Sequence, residues 1–225
     1  MAETGATTMA NVFDRLKIAA LSVAAGAVAI LVPLGAQARQ QTANVAGGCF
    51  WCIVSDFESV GDVVSGYTGG SQANPTYSQV GRGATGHYEA VMIPFNDSVI
   101  SYRQIMDLFF RSVDPTDAGG QFCDRGNQYR TAIFVTTQAQ ADTAASAKTA
   151  AEQALGRQIV TPIVQASTFY RAEAYHQDYY KGAKLVVTRG GPKRQSDAYN
   201  FYRKCCGRDA RIQQLWGADA PFIHH

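Results

Sequence analysis

The sequence predicts a single α+β domain preceded by an export segment. Three observations lead there. Short alternating or β-branched runs take turns with stretches whose apolar residues recur at helical spacing. No repeat, low-complexity tract or internal linker divides the chain. With 225 residues, 46% hydrophobic and 17% charged, the composition suits one compact core. A net charge of +2, with no run of five basic residues, argues against a nucleic-acid binder.

Arg15 and Lys17 precede an apolar run from Ile18 to Leu34, and Ala36 and Ala38 then form a small-residue site before Arg39. These are the parts of a secretory signal. Residues 1–38 are therefore expected to be a signal peptide cleaved after Ala38, with an uncleaved anchor as the alternative reading, and residues 39–225 the exported domain, in a bacterial periplasm.

"TANVAGG" reads as a strand ending in a glycine turn, and "CFWCIVSDFESV" as a helix with Phe50, Ile53, Val54 and Phe57 on its apolar face. "DVVSGYTGG" is a second strand. "SQANPTYSQVGRGATG" reads as loop. "HYEAVMIPF" alternates as a central strand. Ser101 caps a helix facing inward through Ile105, Leu108, Phe109 and Val113, and Pro115 stops it. "DPTDAGGQFCDRGNQ" is a long loop, "YRTAIFV" a strand, residues 137–155 a surface helix, and "IVTPIVQA" a strand. "AEAYHQDYY" reads as helical, and the tail as helical with a break near Gly207. Compact domains rarely keep such long loops without using them.

Five cysteines, Cys49, Cys52, Cys123, Cys205 and Cys206, are too many by one to pair fully within the chain. Either one thiol is free or the pairing changes during a cycle. Cys49 follows a Gly-Gly turn at a helix start, where positive peptide dipoles favour a thiolate and are expected to lower its pKa. Phe50 and Trp51 beside it can wall an apolar pocket. Alternation puts Glu89 on the face of Val91, where desolvation should keep its carboxyl protonated and make it a proton donor. Tyr77 and Tyr129 come from turn-marked loops and can donate hydrogen bonds to an oxygen, with Asp124 placed to orient or polarise one of them. His176 reads as a hydrogen-bonded structural histidine. The sequence has neither a zinc-finger spacing nor a dinucleotide fingerprint.

"GGCFWC", "SGYTGG", "NPTYSQV", "TGHYEAV", "DRGNQYRTAIF" and "YHQDYY" occur in that order. Together they resemble the A-type peptide methionine sulfoxide reductases over roughly residues 45–180. The resemblance implies a two-layer, ferredoxin-like sandwich with long active-site loops. It implies Cys49 as nucleophile on the sulfoxide sulfur and Phe50, Trp51 and Tyr129 around the substrate methyl. Glu89 would be the acid, Tyr77 and Tyr129 would bond the oxygen, and Asp124 would support its loop. It further implies selectivity for the S epimer, no bound cofactor, oxidised proteins or peptides as substrates and a thioredoxin-type dithiol as reductant. Cys52 stands where many members have Gly, Cys123 where Asn is common, and Ala174 where Asp is usual. Cys206 resembles the tail cysteine of many members, and it is expected to attack the Cys49 sulfenic acid first, with Cys52 second. A thioredoxin-like oxidoreductase, resting on Cys49-x-x-Cys52 alone, is the enzymatic rival. A disulfide-stapled binding domain is the other.

Overall fold

The computed structural model describes residues 39–223. The expected export segment and the last two histidines lie outside the described residues. Strands β1 (Gln40–Gly47), β2 (Val64–Thr68), β3 (Tyr88–Asn96), β6 (Thr131–Val135), β7 (Ile163–Gln165) and β8 (Tyr170–Arg171) form one sheet in the order β7-β6-β1-β3-β2-β8. All neighbours are antiparallel except β6 and β7.

Register sorts the two faces of this sheet. Val45 lies opposite both Val91 and Ile133, and Ala43 opposite Ile93. These residues are fully buried and share one core with the helices α1 (Phe50–Phe57), α3 (Tyr102–Ser112) and α4 (Gln138–Leu155). The alternate positions Ala46, Ala90, Ala132 and Phe134 form a small separate cluster on the other face. The period of two in the strands thus places one heavily covered face against the helices. Glu89 has the parity of the covered face, as its alternation predicts, and is 2% exposed.

Local chemistry explains the helix ends. Ser101 accepts from the Gln104 amide while Gln104 reaches back, a capping box that starts α3. Ala144, Ala147 and Ala151 give α4 a flat buried stripe against the core. Gly156, in the left-handed region at φ 61°, ends it.

Five details differ from the sequence reading. The segment read as loop before Gly86 holds a short helix, α2 (Tyr77–Gly81), because Thr76 and Gln79 form a capping box. The long loop after α3 folds into a two-residue hairpin of β4 (Gly120–Gln121) and β5 (Asp124–Arg125). "AEAYHQDYY" is two separate single turns, Ala174–His176 and Tyr179–Lys181, because Asp178 at φ 51° breaks the helical path. β7 starts only after Pro162, which has no amide to give the ladder. Residues 184–194, for which no element was assigned, form the hairpin of β9 (Leu185–Thr188) and β10 (Gly191–Arg194). The tail follows expectation: α5 (Gln195–Cys205) and α6 (Arg208–Trp216) meet at Gly207, φ 66°.

Candidate active site

The junction between β1 and α1 has no spare room. A Cβ on Gly47 would lie 2.6 Å from Ile53 and 2.9 Å from Val113. Gly48 sits at φ 82°, and a Cβ there would meet Gln121 at 2.6 Å. The turn therefore requires glycine twice, once for space and once for both space and conformation. It delivers Cys49 as the N-cap of α1, at φ −56° and ψ 116°, just outside the helix. The next amide, Phe50 N–H, donates to Glu89 Oε2 at 3.2 Å. The carboxyl of β3 thus satisfies a donor that the helix leaves open.

All nine residues singled out in the sequence line one cavity of about 390 Å³: Cys49, Phe50, Trp51, Cys52, Tyr77, Glu89, Asp124, Tyr129 and Cys206. Phe50 is buried and its ring faces Tyr77 at 6.3 Å. Trp51 stacks on Tyr179 with centroids 3.6 Å apart and donates its indole N–H to His176 Nδ1 at 3.1 Å. His176 is therefore the hydrogen-bonded histidine expected, with its proton on Nε2, and burial lowers its pKa to about 4. Tyr77 is held at its backbone, where its amide donates to Glu173 at 2.9 Å, and the same carboxylate accepts from Tyr67 Oη at 2.8 Å.

Desolvation raises the Glu89 carboxyl to about 8, the Phe50 amide opposing it and the Asp124 charge adding to it. Glu89 is therefore mostly protonated at neutral pH. Burial also raises the phenols of Tyr77 and Tyr129, and Glu89 adds to both, so both keep their protons. Burial raises the carboxyl of Asp124 too, against the pull of Arg208 and Arg189.

The thiols depart from expectation. Cys49 was expected to have a lowered pKa. Its hydrogen bond with Cys52 and its burial instead push it well above the usual thiol value, and Glu89 and Asp124 add to the rise. Cys52 moves the other way, lowered by the same hydrogen bond and by Arg208 and Arg203. The pair thus favours a thiolate at Cys52. Cys206 is bonded to Cys123, with Cα atoms 4.9 Å apart, while Cys49 and Cys52 remain free beside one another. Cys49 is the N-cap of α1, and its carbonyl accepts from the Cys52 amide at 3.1 Å.

Sequence reasoning missed the cations behind this pair. Arg203 Nη1 donates to Asp56 Oδ1 at 2.8 Å and to Tyr199 Oη at 2.8 Å. Arg208 donates to the Ser112 carbonyl at 2.6 Å and reaches Asp56 at 3.4 Å. Both arginines are almost fully buried. The only signal was an arginine on each side of Cys205-Cys206, which becomes legible once the tail is known to pack on α1. Among the described residues, no group of three or more His, Cys, Asp or Glu side chains forms a metal set.

A cavity that joins a half-buried and a buried thiol, a protonated carboxyl and two phenols is built for proton-assisted thiol chemistry. A family model for peptide methionine sulfoxide reductase matches residues 41–204. The chain is 44% identical over 191 residues to peptide methionine sulfoxide reductase MsrA 2 of Rhizobium meliloti (strain 1021), covering 84% of this chain and 89% of that one. It is 44% identical over 185 residues to MsrA of Bacillus subtilis (strain 168), covering 80% and 98%. Among solved structures, reduced Mxr1 of Saccharomyces cerevisiae superposes with a TM-score of 0.60 at 29% identity, over 64% of this chain and 88% of that one. Methionine sulfoxide reductase A of Corynebacterium diphtheriae does so at 0.57 and 25% identity, over 68% and 84%. The chain belongs to the peptide methionine sulfoxide reductase family, and its mixed α and β architecture is that of these structures.

Proposed function

We propose that the protein reduces methionine S-sulfoxide, free or in polypeptides, to methionine, and so repairs oxidised proteins. The observation that carries this reading is the protonated Glu89 carboxyl in the same cavity as the Cys49 thiol. A sulfoxide oxygen leaves only when it takes up protons. Neutral Glu89 supplies one, and Tyr77 and Tyr129 hold the oxygen by hydrogen bonds. As the oxygen is protonated, positive charge grows on the sulfoxide sulfur. That charge offsets the effects that keep Cys49 protonated, and the thiol proton passes along the hydrogen bond to Cys52.

Cys49 then bonds the sulfur, transfers to the oxygen and emerges as a sulfenic acid while methionine leaves. Phe50, Trp51 and Tyr129 surround the S-methyl group, and Asp124 steadies the second loop. Cys52 attacks the sulfenic acid next, giving a Cys49–Cys52 disulfide and water. A thioredoxin-type dithiol returns the enzyme to its reduced state, with no bound cofactor. Each sulfoxide epimer has its own reductase class, and this chain takes the S form.

Residues 39–225 act as one domain of two layers, in the ferredoxin-like manner. The antiparallel centre of the sheet and its single helix-covered face support this. Residues 1–38 direct export to the periplasm, a reading supported by their charged, apolar and small-residue segments in sequence. The test is methionine release from S- and R-sulfoxide peptides with a dithiol. The parent is expected to reduce only the S epimer, and Cys49→Ser to fall to background, because a hydroxyl is a far weaker nucleophile. Equal rates on both epimers, or an active Cys49→Ser variant, would overturn the assignment.

A further inference from the structure

The Cys123–Cys206 disulfide lies between two cavities. Both sulfurs' residues line the inner cavity that holds Cys49 and Cys52. Both also line a second cavity of about 360 Å³, whose other walls include Asp114, Asp117 and Arg211. Cys123 is exposed and Cys206 half-buried. Cys123 sits at the tip of the β4–β5 hairpin, beside Phe122 at φ 54°. A bulky residue in the left-handed region is strained backbone, which must be held by its surroundings. The Arg208 guanidinium lies 4.7 Å from the centre of the Phe122 ring, and the disulfide ties the next residue to the tail.

We propose that Cys123 is a second redox cysteine: with Cys206 it takes the oxidation passed outward from Cys49 and Cys52, and presents it to a protein dithiol on the outer cavity. The proposal rests on the sulfoxide reductase reading above. Its logic is one of size. A folded reductant cannot enter a cavity of about 390 Å³, but it can reach Cys123, which is exposed on the hairpin tip.

The exchange balances within the chain. The Cys206 thiolate attacks the sulfur of Cys49 in the Cys49–Cys52 disulfide, and the electron pair of the broken bond goes to Cys52. Cys52 is the better leaving group, since the thiol of lower pKa leaves faster. The Cys123 thiolate then attacks the sulfur of Cys206, which releases Cys49. The protons of the Cys123 and Cys206 thiols end on Cys49 and Cys52. One disulfide has been exchanged for another, and the inner pair is ready for a second substrate. An external dithiol finally reduces Cys123–Cys206 and becomes a disulfide itself.

The alternative is a static staple that fastens the hairpin to the tail. The two differ in how many electrons the protein stores. The full chain is reduced, freed of reductant, and mixed with excess methionine S-sulfoxide, and methionine is counted per chain. Two equivalents are expected from the parent, one for each pair, and one from Cys123→Ser. Peptide mapping should place the two parental disulfides at Cys49–Cys52 and Cys123–Cys206. One equivalent from the parent would overturn the relay and leave the reductase activity standing. Two from Cys123→Ser would overturn the role of Cys123 and move it to Cys205. None from the parent would overturn both readings, because no inner disulfide would have formed to discharge.

Discussion

The inner and outer cysteine pairs of this protein are built by opposite means. Cys49 and Cys52 sit at a junction so tight that neither Gly47 nor Gly48 accepts a Cβ. Their properties are set by what surrounds them: buried rings, a protonated carboxyl and two arginines. Cys123 and Cys206 sit on a hairpin tip and a helix end, the latter followed by Gly207 with nothing within 4 Å of an added Cβ. Their properties are set by who can reach them. The contrast teaches that one chain can separate the two demands on a thiol enzyme. The substrate requires a dry, shaped site, and a protein reductant requires an exposed sulfur. Arg203 and Arg208 belong to both regions, since they stand at the tail and act on Cys52.

The largest effect should come from removing the proton at the inner site. Glu89→Gln keeps the shape but cannot give a proton, and general acid help is worth about 10²–10⁴ in rate. In the parent, the rate of sulfenic acid formation should fall as pH rises through about 8, where Glu89 ionises. The variant should lose that dependence. Stability should respond as well. The Glu89 pKa is raised on folding, so its contribution is fully present below about 4.5 and declines as pH rises to about 8. Glu89→Gln should therefore gain stability over the parent at high pH and none at low pH, as measured by urea unfolding. A variant whose rate and stability both track the parent across pH would remove Glu89 from the mechanism.

The inner site was largely legible in the sequence, and the outer was not. Cys49, Phe50 and Trp51 are neighbours along the chain, so a turn and a helix start place them together without knowledge of the fold. Glu89 needed only the strand period. The pairing of Cys123 with Cys206 joins residues 83 positions apart, through a hairpin tip that carries no glycine at its left-handed position. No local pattern announces such a contact. The lowered pKa expected for Cys49 failed for a related reason. A helix start argues for a thiolate, but the opposing carboxyls come from β3 and β5, and the cations favour Cys52. The single turns around His176 were read as one helix because Asp178 in the left-handed region leaves no composition signal.

A middle effect should come from cutting the tie between the two regions. Asp56 on α1 receives Arg203 and Arg208 in a buried network. Asp56→Ala leaves the buried Arg208 guanidinium without a carboxylate and Arg203 with Asp209 alone, and breaking such a buried pair costs about 3–5 kcal/mol. Chemical unfolding should show that loss. Cys52 should also gain reactivity toward an alkylating reagent, because the Asp56 charge that raises its pKa is gone while both arginines keep their other partners. A loss of stability with unchanged Cys52 reactivity would confine the network to a structural role.

The smallest effect should come from Cys205, the neighbour of Cys206. It ends α5, is exposed, and is free. Its side chain lines neither the inner nor the outer cavity, whereas Cys206 one residue on lines both. An exposed position away from packing and caps changes stability by less than about 0.5 kcal/mol when substituted. Cys205→Ser should therefore match the parent in unfolding midpoint and in steady-state turnover with a protein dithiol. It should also release the same amount of methionine without reductant. A fall in that amount would mean that Cys205 takes part in storing the oxidation, and that the outer site holds three exchanging sulfurs rather than two.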